Sequence, residues 1–394
     1  MSDRVGNVDV LRAVAALMVL AGHAYFLSGR TVSVIAERWY DVVVITGASG
    51  VWLFFAISGY VIARPFINAL LTGGALPALG PYALRRVVRI YPLYWVALTA
   101  FLLIAGAGVV RGWHYPLHYL LLQNVVPGRE QAMLTVAWTL SIEVIFYTAV
   151  PLLALAVRRR RRAVTAEWLA AAVLASWAAS IAFMVGADFL VAVTSIEGPW
   201  SRSLFPAVWQ MFCPGLLVAI GPHLTSPAWR RWLVDIPRGR PALAVAAVLL
   251  VAAAIVAPLS PQRWGLEVFV FVIDATRVPF ALGFGVVLAA AVAARPVRAA
   301  LPLRLGLVSY GIYLLHPVVI EALLRWGVPL PREGLGPYLV HLAVIAGLTI
   351  PLALLSWRYL EEPLIRRARQ YGVVRNPVPA GQDAAGRTGD KVAG

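Results

Sequence analysis

The chain has 394 residues, of which 61% are hydrophobic and only 13% are charged, and its mean hydropathy is +0.79. This composition excludes a soluble domain and is typical of a protein with many transmembrane helices. The formal net charge of +16 comes almost entirely from arginine, since Lys391 is the only lysine. In a membrane protein such charge belongs to cytoplasmic loops, so we predict no nucleic-acid binding. The single cysteine, Cys213, excludes an intrachain disulfide and a thiolate metal cluster, and no metal site is predicted.

Apolar stretches long enough to cross a bilayer recur along almost the whole chain. The predicted fold class is therefore all-α: a polytopic membrane protein with about ten transmembrane helices. The predicted spans are residues 8–28, 42–67, 92–110, 132–157, 166–187, 204–221, 241–258, 267–293, 305–325 and 337–360.

The distribution of basic residues predicts the orientation of these spans. With the N-terminus inside, the cytoplasmic segments hold 22 of the 34 basic residues and the outer segments hold seven. Because ten is an even number, both termini are predicted to be cytoplasmic, in a multi-pass protein of the cell membrane. We divide the chain into an integral membrane domain, residues 1–369, and a disordered cytoplasmic tail, residues 370–394, which is rich in Pro, Gly and polar residues.

The first apolar helix carries three ionisable residues, Asp9, Arg12 and His23. His23 lies eleven positions after Arg12, so the two share one helical face and lie roughly 16 Å apart along the axis. Ionisable groups are costly in lipid, and we expect both to face the protein interior or a wet cavity. An imidazole with an ordinary pKa of about 6.5 suits proton transfer at neutral pH. The structural alternative is that Asp9 simply pairs with Arg12, one turn away.

A second candidate is the stretch A-W-T-L-S-I-E-V-I-F-Y, residues 137–147. Thr139, Glu143 and Tyr147 are four residues apart and form a polar stripe on one helical face. A carboxylate at this depth needs a partner or a proton. The stripe predicts either a functional site or a hydrogen-bonding network between helices.

A third candidate is R-R-V-V-R-I-Y-P, residues 85–92, at the cytoplasmic mouth of the third span. Arg86 and Arg89 are one turn apart, with Arg85 beside them. Guanidinium groups at this spacing can bind a phosphate. The alternative is that positive-inside bias alone places arginines here.

Three further motifs complete the pattern. In residues 50–62, Gly50 and Gly59 allow close helix packing, and Ser58 can bond a neighbouring helix. His316 precedes Pro317 and is a candidate for capping a broken helix or for touching the site. The sequence E-E-P, residues 361–363, is interpreted as the end of the last span.

Taken together, these motifs resemble the acyltransferase-3 family of integral membrane proteins. The resemblance rests on D-V-L-R followed by ten residues and His23, F-F-A-I-S-G-Y, R-R-V-V-R-I-Y-P, W-T-L-S-I-E-V-I-F-Y, S-Y-G-I-Y-L-L-H-P and E-E-P, in the family's order over residues 7–369. One departure is Ala13, where the family often has Gly, which allows less close packing.

The resemblance implies an O-acyltransferase that moves an acyl group, commonly acetyl, from cytoplasmic acyl-CoA to a hydroxyl. The implied acceptor contains a sugar: a surface polysaccharide, a lipopolysaccharide or a glycosylated natural product such as a macrolide. It also implies that His23 is the catalytic residue with Arg12 as its companion, that Glu143 lies in the core of the site, and that Arg86 and Arg89 hold CoA phosphates. Arg85 stands beside them as a third candidate ligand. Acyl-CoA is then a co-substrate, with no tightly bound cofactor.

Two other hypotheses stay open at this stage. A transporter or exporter of a polar lipid or glycan would share the ten spans and the buried ionisable residues, but would not depend on acyl-CoA. A structural membrane subunit of a polysaccharide assembly complex would tolerate replacement of His23.

Overall fold

The computed structural model describes residues 6–26, 47–106, 112–126, 133–160, 163–194, 203–256, 266–328 and 335–371. Within these ranges the chain is helical and has no strand, which confirms the predicted fold class. The α-helices are α1 Gly6–Phe26, α2 Gly50–Leu71, α3 Leu79–Ala105, α4 His114–Tyr119, α5 Ala137–Arg160, α6 Ala166–Thr194, α7 Phe205–Val208, α8 Cys213–Ile220, α9 Pro227–Arg230, α10 Ile236–Arg238, α11 Arg240–Val256, α12 Leu266–Ala293, α13 Ala300–Leu307, α14 Ser309–Arg325, α15 Leu335–Ser356 and α16 Glu362–Tyr371.

Shorter turns connect some of these helices. The 3-10 turns are Gly47–Ser49, Gln123–Val125, Trp209–Met211 and Gly221–His223, and the π-helical turns are Arg231–Asp235 and Trp357–Glu361. The predicted tail, residues 370–394, lies outside the described residues after Tyr371.

The described helices confirm a polytopic membrane protein. Seven are long and apolar enough to cross a membrane, and ten spans result if each of three bent pairs counts as one span. The bends are 46° between α7 and α8, 70° between the segment Pro227–Arg238 and α11, and 65° between α13 and α14. Sequence periodicity locates the apolar stretches but does not predict these bends, because their angles depend on packing against other helices.

Two predicted boundaries are wrong. α3 begins at Leu79 rather than near residue 92, so the arginine motif lies inside the helix and not before it. The helix of the last predicted span does not end at Glu361, because the π-helical turn leads directly into α16. A π-helical turn shifts the hydrogen-bonding pattern of the helix, and here it leads into Pro363, which lacks a backbone N–H.

Glycines bring α2 close to its neighbours, as the sequence predicts. A Cβ atom on Gly50 would collide with the Ala15 carbonyl oxygen of α1, and one on Gly59 would collide with the Phe212 carbonyl oxygen. Gly47, just before α2, lies against Gly22 in the same way. The start of α2 therefore lies beside the second half of α1, which fixes the relative depth of the residues that the two helices contribute to the site.

Candidate active site

A cavity of about 540 Å³ lies between α1, α2, α3, α5, α13, α14 and the C-terminal segment. α2 lines it from Val51 to Asn68, a stretch of eighteen residues and so roughly 25 Å of helix. We call the part near Arg64 and Arg85 the basic end, and the part near Phe54 and Tyr313 the inner end. The ionisable side chains of the lining are Asp9, Arg12, Tyr60, Arg64, Arg85, Arg86, Arg89, Glu143, Tyr147, Tyr310, Tyr313 and Arg369.

The cavity is strongly cationic. Six arginines and only two carboxylates, those of Asp9 and Glu143, are among its lining residues. A low-dielectric wall strengthens the field of such a cluster and attracts anions into the cavity. The arrangement suits a ligand that carries several negative charges.

Arg12 lies in the cavity wall, as predicted for an ionisable residue of the first helix. Its buried Nε atom has no hydrogen-bond partner among the described residues. Among the described residues, no ion pair joins Arg12 to Asp9. The structural alternative, in which Asp9 simply pairs with Arg12, therefore does not form. The guanidinium group is left available to a ligand in the cavity.

The polar stripe of α5 forms as predicted and adds Ser58 from α2. Glu143 Oε1 accepts hydrogen bonds from Ser58 Oγ at 2.9 Å and from the Tyr147 hydroxyl at 2.5 Å. Thr139 Oγ1 donates to the Val136 carbonyl oxygen and lies 2.6 Å from the Tyr313 hydroxyl. The stripe thus connects α2, α5 and α14, and it holds the Glu143 carboxylate in the cavity wall.

The three predicted phosphate ligands all line the cavity, but they have different neighbours. The Arg86 guanidinium lies between the rings of Tyr82 and Tyr147, at 5.5 and 5.3 Å from their centroids, and its Nε atom has no hydrogen-bond partner in the described ranges. Aromatic rings on both sides favour a fixed orientation of the guanidinium. Arg85 is partly exposed at the basic end.

Arg89, in contrast, already has an anionic partner. Its Nη1 donates to Glu361 Oε2 at 3.0 Å, and its guanidinium lies over the rings of Tyr310 and Trp357. Glu361 is 2% exposed and also accepts a hydrogen bond from Ser356. The E-E-P motif therefore provides the counter-charge for the arginine motif instead of marking the end of the chain's last span.

His23 lies beyond the inner end of the cavity, and is absent from the lining. Its Nδ1 donates to the Val19 carbonyl oxygen at 2.9 Å, which assigns the proton of a neutral ring to Nδ1. Its ring centroid is 4.9 Å from that of His316 on α14. Glu143 makes no hydrogen bond to His23, so the site has two levels: that of Arg12 and Glu143, and that of His23, about three helical turns further along α1.

His316 is not at a helix break. The bend between α13 and α14 falls at Val308, two turns earlier, and His316 is fully buried inside α14. The idea that it caps a broken helix is therefore wrong. It lies beside His23 because α1 and α14 pack against each other.

Sequence reasoning missed two cations of the cavity, Arg64 and Arg369. Arg64 carried a signal, because an arginine within a predicted span is expected to face a cavity. Arg369 had no such signal among the other basic residues of the C-terminal segment. The extension of α16 across the basic end is what brings it to the cavity.

Comparison with known proteins gives a consistent result. The family profile described as acyltransferase domain, Acyl_transf_3, matches residues 5–358. The chain is similar to nodulation protein 10 of Rhizobium leguminosarum bv. viciae, with 26% identity over 386 residues, or 91% of this chain and 93% of that protein. It is also similar to the exopolysaccharide production protein ExoZ of Rhizobium meliloti, with 28% identity over 337 residues, or 82% of this chain and 91% of that protein. No solved structure matches the chain.

Proposed function

The chain belongs to the acyltransferase-3 family, and from that premise we propose that it transfers an acyl group, commonly acetyl, from cytoplasmic acyl-CoA to a hydroxyl of a sugar-containing acceptor. One observation carries the proposal: a cavity with six arginines extends from the basic end toward a pair of histidines behind its inner end. A donor with an anionic head and a thin, uncharged arm fits such a shape. The name of the exopolysaccharide production relative favours a glycan as the acceptor.

The basic end suits the phosphate groups of coenzyme A. Arg85 and Arg86 are proposed to hold them, and Arg64 and Arg369 extend the cationic surface. Arg89 contributes at the same end, although Glu361 offsets part of its charge. Charge-assisted hydrogen bonds from guanidinium groups to phosphate are among the strongest that proteins make.

Arg12 and Glu143 lie midway along the cavity, at the depth where the pantetheine arm of acyl-CoA would pass. This arm offers amide and hydroxyl groups, which match a guanidinium donor and a carboxylate acceptor. Ser58 and Tyr147 fix the Glu143 carboxylate before the ligand arrives. We assign Arg12 and Glu143 to the alignment of the donor, so that the thioester reaches His23 in a reactive position.

The transfer itself is assigned to His23. The Val19 carbonyl oxygen holds the proton of the neutral imidazole on Nδ1, which leaves the Nε2 lone pair as the base. The acceptor hydroxyl gives its proton to Nε2 as its oxygen bonds to the thioester carbon. The carbon–sulfur bond then breaks, and the thiolate takes the proton back from the imidazolium, so that His23 returns to its starting state.

The test is thiol release by the purified protein in lipid nanodiscs, with acetyl-CoA and longer acyl-CoAs and a panel of glycosylated acceptors. We expect the wild type to release CoA and His23→Ala to fall to the background rate, a loss of at least 10²-fold, because the proton acceptor is gone. Melting temperature and binding of acyl-CoA are the controls, and both should match the wild type.

Other outcomes have a definite meaning. Failure of well-folded wild type to bind acyl-CoA would favour the exporter hypothesis.

A competing mechanism forms a covalent acyl-histidine on His23. Rapid quenching with radiolabelled acetyl-CoA and no acceptor separates the two mechanisms, since label trapped on the protein would refute direct transfer.

A further inference from the structure

The second histidine of the pair, His316, has a buried nitrogen atom that the proposed reaction leaves unused. His316 is fully buried in α14, and its Nδ1 lies 3.1 Å from the Ile312 carbonyl oxygen. A carbonyl oxygen only accepts hydrogen bonds, so Nδ1 carries the proton of the neutral ring. Nε2 is then an acceptor, and it has no hydrogen-bond partner among the residues that the structure describes.

An unpaired polar atom in a protein interior costs free energy and calls for an explanation. His316 is the residue before Pro317, in the middle of α14, and an apolar side chain at this buried position would avoid the cost of an unpaired polar atom. A ligand that donates a hydrogen bond to Nε2 would remove it. The unpaired atom therefore points to a binding role.

His316 occupies the right place for such a role. Tyr313, one turn earlier on α14, lines the inner end of the cavity and lies 6.1 Å from the His316 ring, centroid to centroid. Phe54 packs against Tyr313 at 5.5 Å, and hydrogen bonds to Thr139 and Val136 hold the tyrosine hydroxyl. His316 thus lies directly behind the inner wall, on the side of His23.

The two imidazoles present the same chemistry side by side. Each donates its Nδ1 proton to the carbonyl oxygen four residues earlier in its own helix, and their ring centroids are 4.9 Å apart at an angle of 57°. In this tautomer each ring carries its lone pair on Nε2, the acceptor nitrogen. A thioester has no hydrogen-bond donor, whereas a sugar has hydroxyls on neighbouring carbon atoms.

We propose that His316 is a second catalytic residue, which binds a hydroxyl adjacent to the one that His23 deprotonates. The acceptor class that follows is a ring with two neighbouring hydroxyls. The reacting hydroxyl transfers its proton to His23 and forms the new carbon–oxygen bond, while the adjacent hydroxyl keeps its proton and donates a hydrogen bond to His316 Nε2. This inference rests on the proposed acyltransferase function.

The test compares two simple acceptors, cyclohexanol and cis-cyclohexane-1,2-diol, with acetyl-CoA as donor and thiol release as the signal. We expect the wild type to use the diol with a kcat/KM per hydroxyl about fivefold higher, as one neutral hydrogen bond would give. His316→Ala should reduce that ratio to about one. His316→Gln should keep part of it, because the amide oxygen can also accept a hydrogen bond.

His341→Gln is the matched control, since it replaces another fully buried histidine, on α15 and outside the cavity lining. It should leave the ratio at the wild-type value. A wild-type ratio of one would overturn the inference without any variant, and so would an unchanged ratio in His316→Ala. Thiol release with the glycosylated acceptors but with neither alcohol would also overturn the inference, whereas the absence of thiol release with every acceptor would count against the proposed function itself.

Discussion

Arg86 and Arg89 are one helical turn apart, yet their surroundings give them different tasks. Arg86 faces the cavity between two tyrosine rings and has no carboxylate bound to it among the described residues. Arg89 is paired with the buried Glu361. A motif that supplies identical guanidinium groups can therefore combine ligand binding with stabilisation of the fold, and the partner of each arginine decides which prevails.

We predict that Arg85→Ala combined with Arg86→Ala raises the KM for acyl-CoA about 10²- to 10⁴-fold with little change in kcat. Charge-assisted hydrogen bonds to phosphate contribute about 1.5–3 kcal/mol each, and this binding energy is the same in the ground state and the transition state. Steady-state kinetics in nanodiscs measures the effect. Arg367→Ala, which removes an exposed arginine outside the cavity lining, is the control. An unchanged KM in the double variant would refute the phosphate role.

At the scale of the elements, α16 closes the basic end of the cavity. Ile365, Ala368 and Arg369 line the cavity, and the helix packs along α3. The ion pair between Arg89 and Glu361 ties the preceding π-helical turn to the same helix. The charge pair, with side-chain exposures of 18% and 3%, therefore adds to the packing that holds α16 against α3.

We predict that Glu361→Ala destabilises the protein by about 3 kcal/mol, because it leaves the Arg89 guanidinium without its counter-charge in a low-dielectric region. Thermal unfolding in detergent should show a Tm lower by several degrees. The next residue supplies a matched control: Glu362→Ala breaks only the exposed pair with Arg366 and should cost less than about 1 kcal/mol. Equal losses in the two variants would contradict this account of the buried pair.

At the scale of the whole molecule, the proposed function requires the basic end of the cavity to face the donor. The excess of arginine in alternate loops predicts that this end is cytoplasmic. The loop between α2 and α3 lies at the basic end, and its Gly73 and Gly74 carbonyl oxygens accept hydrogen bonds from Arg158 at the end of α5. Acyl-CoA would then enter from the cytoplasm, and the acceptor would reach the histidine pair from the other side of the membrane.

Labelling with a membrane-impermeant maleimide tests this orientation. The native Cys213 is fully buried, so single cysteines can be introduced without removing it. We predict that Val125→Cys reacts in intact cells, whereas Ala78→Cys reacts only after the membrane is permeabilised; both positions are exposed. Labelling of Ala78→Cys in intact cells would place the basic end outside, and cytoplasmic acyl-CoA could not then be the donor.

The membrane class, the all-α fold and the candidate site residues could be predicted from the amino-acid sequence. Apolar length is a local property, and an ionisable residue inside an apolar span is rare enough to identify Arg12, His23 and Glu143 as candidates. The four-residue spacing of the polar stripe was also sufficient, because Tyr147 and Glu143 meet within one helix.

Which of these residues meet depends on how the helices pack, and the sequence does not predict it. Glu361 is 272 positions from Arg89, and His316 is far along the chain from His23, so no periodicity links either pair. The bends and the π-helical turn that bring them together depend on packing between helices of similar apolar composition. Nearby residues specify whether a segment forms a helix, whereas the packing of the whole bundle specifies which residues line a cavity between several helices.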